Sequence, residues 1–144
     1  MVGVELGLKH NYWYKMRGEM PNGATTEIDF KMLDVVGCLG TKGIALGDRY
    51  KHKDAYDIVS VLDHYGNEVK EIADAFLQFL GESEIQESLE RMGKMFSNER
   101  SEGPLLYADF LEPFNKEERE VFAQRAYMLV SEFLKSCDPK YISR

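Results

Sequence analysis

The spacing of apolar residues changes near residue 34, and this change constrains the fold more than any other feature of the chain. Before residue 34, apolar and β-prone residues alternate with polar ones, as in half-buried strands. The turn sequence Pro21-Asn22-Gly23 interrupts this pattern. Three segments can form strands by this criterion: residues 2–9, 12–16 and 25–32. We therefore predict a small antiparallel three-stranded sheet, a β-meander over residues 1–33.

After residue 34, apolar residues recur every three or four positions, which is typical of amphipathic helices. Asp34 can cap the first of these helices, and Asn115 with Glu118 can cap the last. The loop-prone residues of segment 97–106 predict an irregular connection. The predicted helices cover residues 34–47, 53–65, 67–80, 83–96 and 115–134. We expect an α+β fold in a single domain, residues 1–144, with the sheet followed by a bundle of about five helices over residues 34–144.

Composition indicates an ordinary globular protein. The chain has 144 residues, of which 44% are apolar and 30% are charged, enough to form one core. No apolar run approaches the roughly 20 residues that a membrane span needs, and the start of the sequence lacks the pattern of a secretion signal. Cys38 and Cys137 are far apart and fit no metal or redox spacing. A cytoplasmic, reduced protein is the expectation.

Charge is distributed unevenly along the chain. Residues 1–65 hold 8 Lys/Arg and 9 Asp/Glu, whereas residues 66–144 hold 10 and 16, so most of the net charge of −7 lies in the second part. The acidic second part argues against broad binding of nucleic acids or membranes, which requires a basic surface. The first part can still accept a phosphate locally, through four basic residues: Lys42, Arg49, Lys51 and Lys53.

The segment Lys42–Asp57, KGIALGDRYKHKDAYD, concentrates charges of both signs. Lys42 and Arg49 are two helical turns apart and can share one face. Asp54 and Asp57 can share a face of the next helix. Such a cluster can hold a phosphorylated ligand and a metal ion, or activate a hydroxyl group. It can equally be a salt-bridged helix pair without a ligand, and the spacing leaves both interpretations open.

The same segment resembles a motif of a known family. The pattern Lys-x-x-Ala-x-x-x-Arg-x-x-x-Lys-Asp-x-x-Asp is similar to the late motif of polymerase-β-type nucleotidyltransferases, most closely the AbiEii-like toxin group of type IV toxin–antitoxin systems. The stretches YDIVSVLDHYG and FSNERSEGPLLYADFL also resemble that group. The pattern is filled by Lys42, Ala45, Arg49, Lys53, Asp54 and Asp57. The resemblance extends from about residue 25 onward and concerns only the second half of the family's fold.

The resemblance implies roles for these residues. Lys42 and Lys53 would contact the phosphates of a nucleoside triphosphate. Asp54 or Asp57 would act as a general base or orient the attacking hydroxyl, and Arg49 would hold that carboxylate. The expected reaction is Mg²⁺-dependent transfer of a nucleotide from a nucleoside triphosphate to an acceptor.

The sequence also departs from the family. Catalytic members carry a Gly-Gly or Gly-Ser turn followed by an Asp-x-Asp pair on a strand, and neither is present here. The nearest acidic pair is Glu27 and Asp29, which we take as metal-ligand candidates on a later strand. The activity is therefore expected to be incomplete or absent. The alternative is a non-enzymatic interaction module that forms a homodimer or pairs with a separate catalytic half, because a truncated sheet leaves an unpaired edge.

Two further patterns have a structural and a functional interpretation. His52, His64 and Asp48 lie near the aspartates in sequence and suggest a transition-metal site, although such sites usually need more compact ligands. Trp13, with its neighbours Tyr12 and Tyr14, can stack on a base or simply pack against neighbouring strands.

Overall fold

The computed structural model describes residues 2–142, with side chains from residue 4 onward, as seven α-helices and one β-hairpin. Residue 1 and residues 143–144 of the predicted domain lie outside the described part. The helices are α1 (Val2–Lys9), α2 (Val35–Arg49), α3 (His52–His64), α4 (Val69–Leu77), α5 (Ser83–Met95), α6 (Glu102–Phe110) and α7 (Lys116–Cys137). The hairpin strands are β1 (Asn11–Glu19) and β2 (Thr25–Leu33), and a 3-10 helix covers Pro139–Tyr141. The α+β class is confirmed.

The predicted three-stranded sheet is wrong, because residues 2–9 form helix α1. Leu6 is fully buried, whereas Val4 and Leu8, which the strand pattern placed beside it, are 55% and 75% exposed. Leu6 lies against Gly40 of α2, where an added Cβ atom would meet Leu6 Cδ1 at 3.1 Å. A short alternating segment fits either structure, and here the close packing of α1 on α2 selects the helix.

Within residues 2–142 the remaining two strands pair only with each other, so α1 and a hairpin replace the β-meander that was predicted over residues 1–33. They are antiparallel, with Asn11 opposite Leu33 and Glu19 opposite Thr25. Met20 and Ala24 close the turn by a hydrogen bond of 2.7 Å, and Gly23 supplies the positive φ of 85° that the turn requires. The base of the hairpin is held to the helices by His10, whose Nε2 atom lies 2.9 Å from Glu82 Oε2.

Helix α2 occupies a central position because its glycines allow neighbouring elements to approach closely. Gly37 touches the backbone of His10, Gly43 faces Ser88 and Met92 of α5, and Gly47 lies against Arg91. Ser88 is completely buried and donates a hydrogen bond of 2.8 Å to the Gly40 carbonyl oxygen, which ties α5 to α2.

The helical part largely follows the sequence pattern. Asp34 accepts a hydrogen bond from the Gly37 amide and Asn115 from the Glu118 amide, each at 2.8 Å, which confirms both predicted caps. Both ends of helices α3, α4 and α5 lie within three residues of the predicted bounds. The loop predicted at residues 97–106 is partly wrong, since α6 begins at Glu102. Pro104 is compatible with this helix because a proline in the first turn forfeits no intrahelical hydrogen bond.

The buried apolar side chains form one cluster, to which all the helices contribute. In its centre, the rings of Phe76 on α4 and Phe133 on α7 meet edge to face, with centroids 5.1 Å apart. Within residues 2–142, no helix combines the length and apolar character needed to cross a membrane.

Candidate functional site

The charged residues of segment 42–57 meet where α2 turns into α3. Tyr50 ends α2 in a left-handed conformation with φ of 49°, and Lys51 is extended, so only two residues separate the helices. Lys42 lies two turns before this joint. Asp54 and Asp57 lie in the first two turns after it, where the short connection directs them toward Lys42.

Asp54 is the most enclosed member of the cluster, with a side chain only 2% exposed. Arg49 donates to both of its oxygens, from Nε to Oδ2 at 2.7 Å and from its terminal nitrogen to Oδ1 at 2.9 Å. Lys42 Nζ donates to Oδ1 at 3.2 Å. Because both oxygens are engaged by cations, Asp54 holds Lys42 and Arg49 in place.

Asp57 is less enclosed and lies nearer solvent, with a side chain 20% exposed. Lys42 Nζ lies 2.8 Å from its Oδ2, and Lys53 Nζ lies 3.0 Å from each of its oxygens. Lys42 therefore bridges the two aspartates, and it remains 29% exposed. Lys53 is 68% exposed and can leave Asp57 for a ligand at little cost, as is usual for surface ion pairs.

The cations keep both aspartates ionised. Burial alone would raise the pKa of Asp54, but hydrogen bonds from Arg49 and Lys42 outweigh burial and place this pKa below its ordinary value. The pKa of Asp57 is likewise lowered, because hydrogen bonds from Lys42 and Lys53 outweigh its desolvation. The pKa of Lys42 is raised, since its two carboxylate partners overcome the effect of burial. At neutral pH all three groups are charged.

The structure thus brings together five of the predicted site residues: Lys42, Arg49, Lys53, Asp54 and Asp57. Cys38, one turn before Lys42 on α2, is an additional neighbour that the motif did not indicate. Burial raises the pKa of its thiol, while nearby Lys42 lowers it and Asp57 raises it. Its spacing of four residues from Lys42 is the sequence signal that could have identified it.

The two metal-ligand candidates, Glu27 and Asp29, lie on β2 and belong to a different set of contacts. Glu27 forms ion pairs with two cations of the opposite strand: its Oε1 lies 2.8 Å from Arg17 Nε, and its Oε2 lies 3.7 Å from Lys15 Nζ. Asp29 is opposite Lys15 in the register. Among residues 2–142, no group of three or more His, Cys, Asp or Glu side chains is arranged to hold a metal ion.

The other two sequence patterns do not assemble as sites. Asp48 pairs with Arg91 of α5, and His64 Nε2 lies 3.6 Å from Asp63 of its own helix. Trp13 is 68% exposed, and the Lys31 ammonium lies 5.2 Å from its ring centroid. Tyr12 and Tyr14 lie on the opposite face of the hairpin, so the three aromatic rings form no common platform.

The hairpin presents a second candidate surface. Fifteen of its eighteen strand residues are exposed, eight of nine in β1 and seven of nine in β2. Directly opposite residues share a face, so the register places six large apolar side chains on one face. We call this the apolar face: Tyr12, Tyr14, Met16, Ile28, Phe30 and Met32. The sequence alternation in β2 indicated the β2 half of the apolar face. Only the register shows that the other half comes from β1.

Comparisons of the chain with protein-family models, with curated proteins and with solved structures found no match. The resemblance to the AbiEii-like group therefore depends only on the motif residues and the two stretches quoted with them.

Proposed function

We propose that the chain is a nucleotidyltransferase-like protein that binds the phosphates of a nucleoside triphosphate at the α2–α3 joint. The observation that supports this proposal is the bridging position of Lys42 between Asp54 and Asp57, at a site that is partly open to solvent. Three cations (Lys42, Arg49 and Lys53) face two carboxylates, which leaves one net positive charge for an anionic ligand.

In this proposal the residues of the cluster have different roles. Lys53, which is 68% exposed, and Lys42, which is 29% exposed, would contact phosphate oxygens. Asp57 would orient the attacking hydroxyl, since its lowered pKa keeps it a hydrogen-bond acceptor at neutral pH. Asp54 is too enclosed to reach a substrate, so the Arg49–Asp54 pair would position Lys42.

The carboxylates do not fit a magnesium ion held by the protein alone. The oxygens of Asp54 and Asp57 are already engaged by ammonium and guanidinium groups. A magnesium ion needs several free oxygen ligands, which phosphates and water commonly supply. In this proposal Mg²⁺ arrives with the triphosphate, and no step depends on a metal site of this chain.

The test is equilibrium binding and nucleotide transfer with each of the four nucleoside triphosphates, with and without Mg²⁺. Lys53→Ala should weaken binding several-fold, because it removes one phosphate contact without disturbing a buried group. The matched control is Lys70→Ala on α4, an exposed lysine outside the cluster, and it should change nothing. Transfer that persists in both Lys42→Ala and Asp57→Asn would reject the assignment.

A second candidate function, a binding module for another polypeptide, is favoured by the exposed apolar face of the hairpin. An isolated two-stranded hairpin is marginally stable in water, and an apolar sheet face normally packs on something. If the face is a docking surface, Ile28→Glu should leave the free energy of unfolding within about 0.5 kcal/mol of the original value. A loss of more than about 2 kcal/mol would show that Ile28 packs within its own chain.

A further inference from the structure

We infer that the apolar face of the hairpin packs face to face on the same face of a second copy of this chain, forming a two-fold symmetric dimer. This inference rests on the binding-module function, and it names the partner. In such a dimer residue i of one copy contacts residue j of the other and the reverse, so one surface serves both subunits.

The first argument is the composition of the face. Five of its six large side chains are 39–57% exposed: Tyr12, Tyr14, Met16, Ile28 and Met32. Phe30, the sixth, is half-buried against Tyr14, with ring centroids 5.6 Å apart. No charged side chain lies on this face, because the register places all the charged strand residues on the other face. A partner must therefore be extended and apolar, as a second copy of this face is.

The second argument is charge. The chain carries a net charge of −7, which opposes close approach of two copies over most of their surface. The hairpin is different, since residues 11–33 hold three basic and three acidic residues and are neutral overall. On the face of the hairpin opposite the apolar face, Arg17 and Lys15 pair with Glu27, and the Lys31 ammonium lies over the Trp13 ring. These charged groups lie on the face opposite the apolar one, so they would stay in water when the apolar faces meet.

The third argument is area. Side chains of this size present roughly 200 Å² each, so the exposed fractions amount to about 500 Å² of apolar surface on one chain. Two faces together would bury about 1,000 Å², the lower limit for a specific protein interface. Two packed sheets of this kind lie about 10 Å apart with interdigitating side chains. The dimer should therefore be weak and reversible.

The experiment is sedimentation equilibrium of the purified chain over a wide range of concentrations. The expected result is a monomer–dimer equilibrium that Met16→Glu shifts to monomer. Met128→Glu is the matched control, because Met128 is a similarly exposed methionine on α7 (60% against 51% for Met16) and should leave the dimer intact. Ile28→Thr is a second variant, for use if Met16→Glu does not fold. It keeps a β-branched residue in the strand and should weaken the dimer at least tenfold.

Three outcomes would overturn the inference. They are a strict monomer at the highest concentration, a dimer that survives both hairpin variants, and a Met128→Glu control that loses the dimer as completely as Met16→Glu does. If the chain is a monomer and Ile28→Glu does not change its free energy of unfolding, the second copy is rejected as the partner. The apolar face would then still be a docking surface for a different polypeptide. Amide exchange tests the geometry, since face-to-face packing leaves the outward N–H groups of both strands exchanging fast. Protection of a row of them would indicate edge-to-edge pairing instead.

Discussion

Arg49 and Asp54 lie on opposite sides of the two-residue connection between α2 and α3 and are joined by two hydrogen bonds of 2.7 and 2.9 Å. The parallel donors of the guanidinium match the two oxygens of the carboxylate, a geometry that a lysine cannot reproduce. The pair thus fixes the angle between the helices and, through Asp54, the position of Lys42.

Asp54→Asn should destabilise the protein by about 2–3 kcal/mol, because the neutral amide removes the negative charge that holds Lys42 and Arg49 and replaces one acceptor oxygen by an NH2 donor that faces their N–H groups. The effect is smaller than for a fully buried pair, since Arg49 is half exposed. Asp57→Asn should cost about 1 kcal/mol or less, because Asp57 is nearer solvent. Urea unfolding of the three proteins provides the comparison, and equal losses would contradict the different roles of the two aspartates.

Stability should fall in acid partly because of the same two aspartates. Their pKa values are lowered by folding, so the unfolded chain binds protons more readily, and their contribution to stability is complete above the ordinary aspartate pKa of about 4. This contribution is lost as the pH falls through the lower pKa values of the folded state. Unfolding midpoints measured from about pH 6 to pH 3 should therefore converge for the original protein and Asp54→Asn. A constant difference across this range would mean that Asp54 is not held ionised by its partners.

Leu6→Ala should destabilise the protein by about 2–4 kcal/mol, because Leu6 of α1 is fully buried and packs against Gly40 of α2. Leu8→Ala is the matched control, because Leu8 is 75% exposed and should change the free energy of unfolding by less than about 0.5 kcal/mol. Thermal unfolding followed by circular dichroism measures both. A strand at residues 2–9 would place the two leucines on the same face and give them similar effects.

Gly43→Ala should cost about 1–3 kcal/mol, because the added methyl group would collide with Ser88 and Met92 in the packed contact between α2 and α5. Gly81→Ala serves as its control, since no heavy atom lies within 4 Å of the corresponding Cβ position. That variant should be neutral or more stable by up to about 1 kcal/mol, because alanine restricts the unfolded chain. Equal effects of the two substitutions would show that α5 does not pack on Gly43.

Features set by neighbouring residues could be predicted from the sequence. The caps that Asp34 forms on α2 and Asn115 forms on α7 were predictable, because each hydrogen bond spans only three residues. The meeting of Lys42 with Asp54 and Asp57 was also expected, since helical spacing fixes their faces and the predicted connection between the two helices, residues 48–52, is short. Their detailed pairing was not predictable, because it depends on how deeply each carboxylate is buried.

Tertiary structure decided the remaining features. Residues 2–9 alternate as a strand would, yet they form a helix whose Leu6 packs closely against Gly40 of α2. The alternation of β2 indicates an apolar strand face, and only the fold shows that β1 completes this face and that no element within residues 2–142 covers it. The physical reason is that caps, turns and periodicity act over a few residues, whereas burial depends on contacts between segments that are distant in the chain.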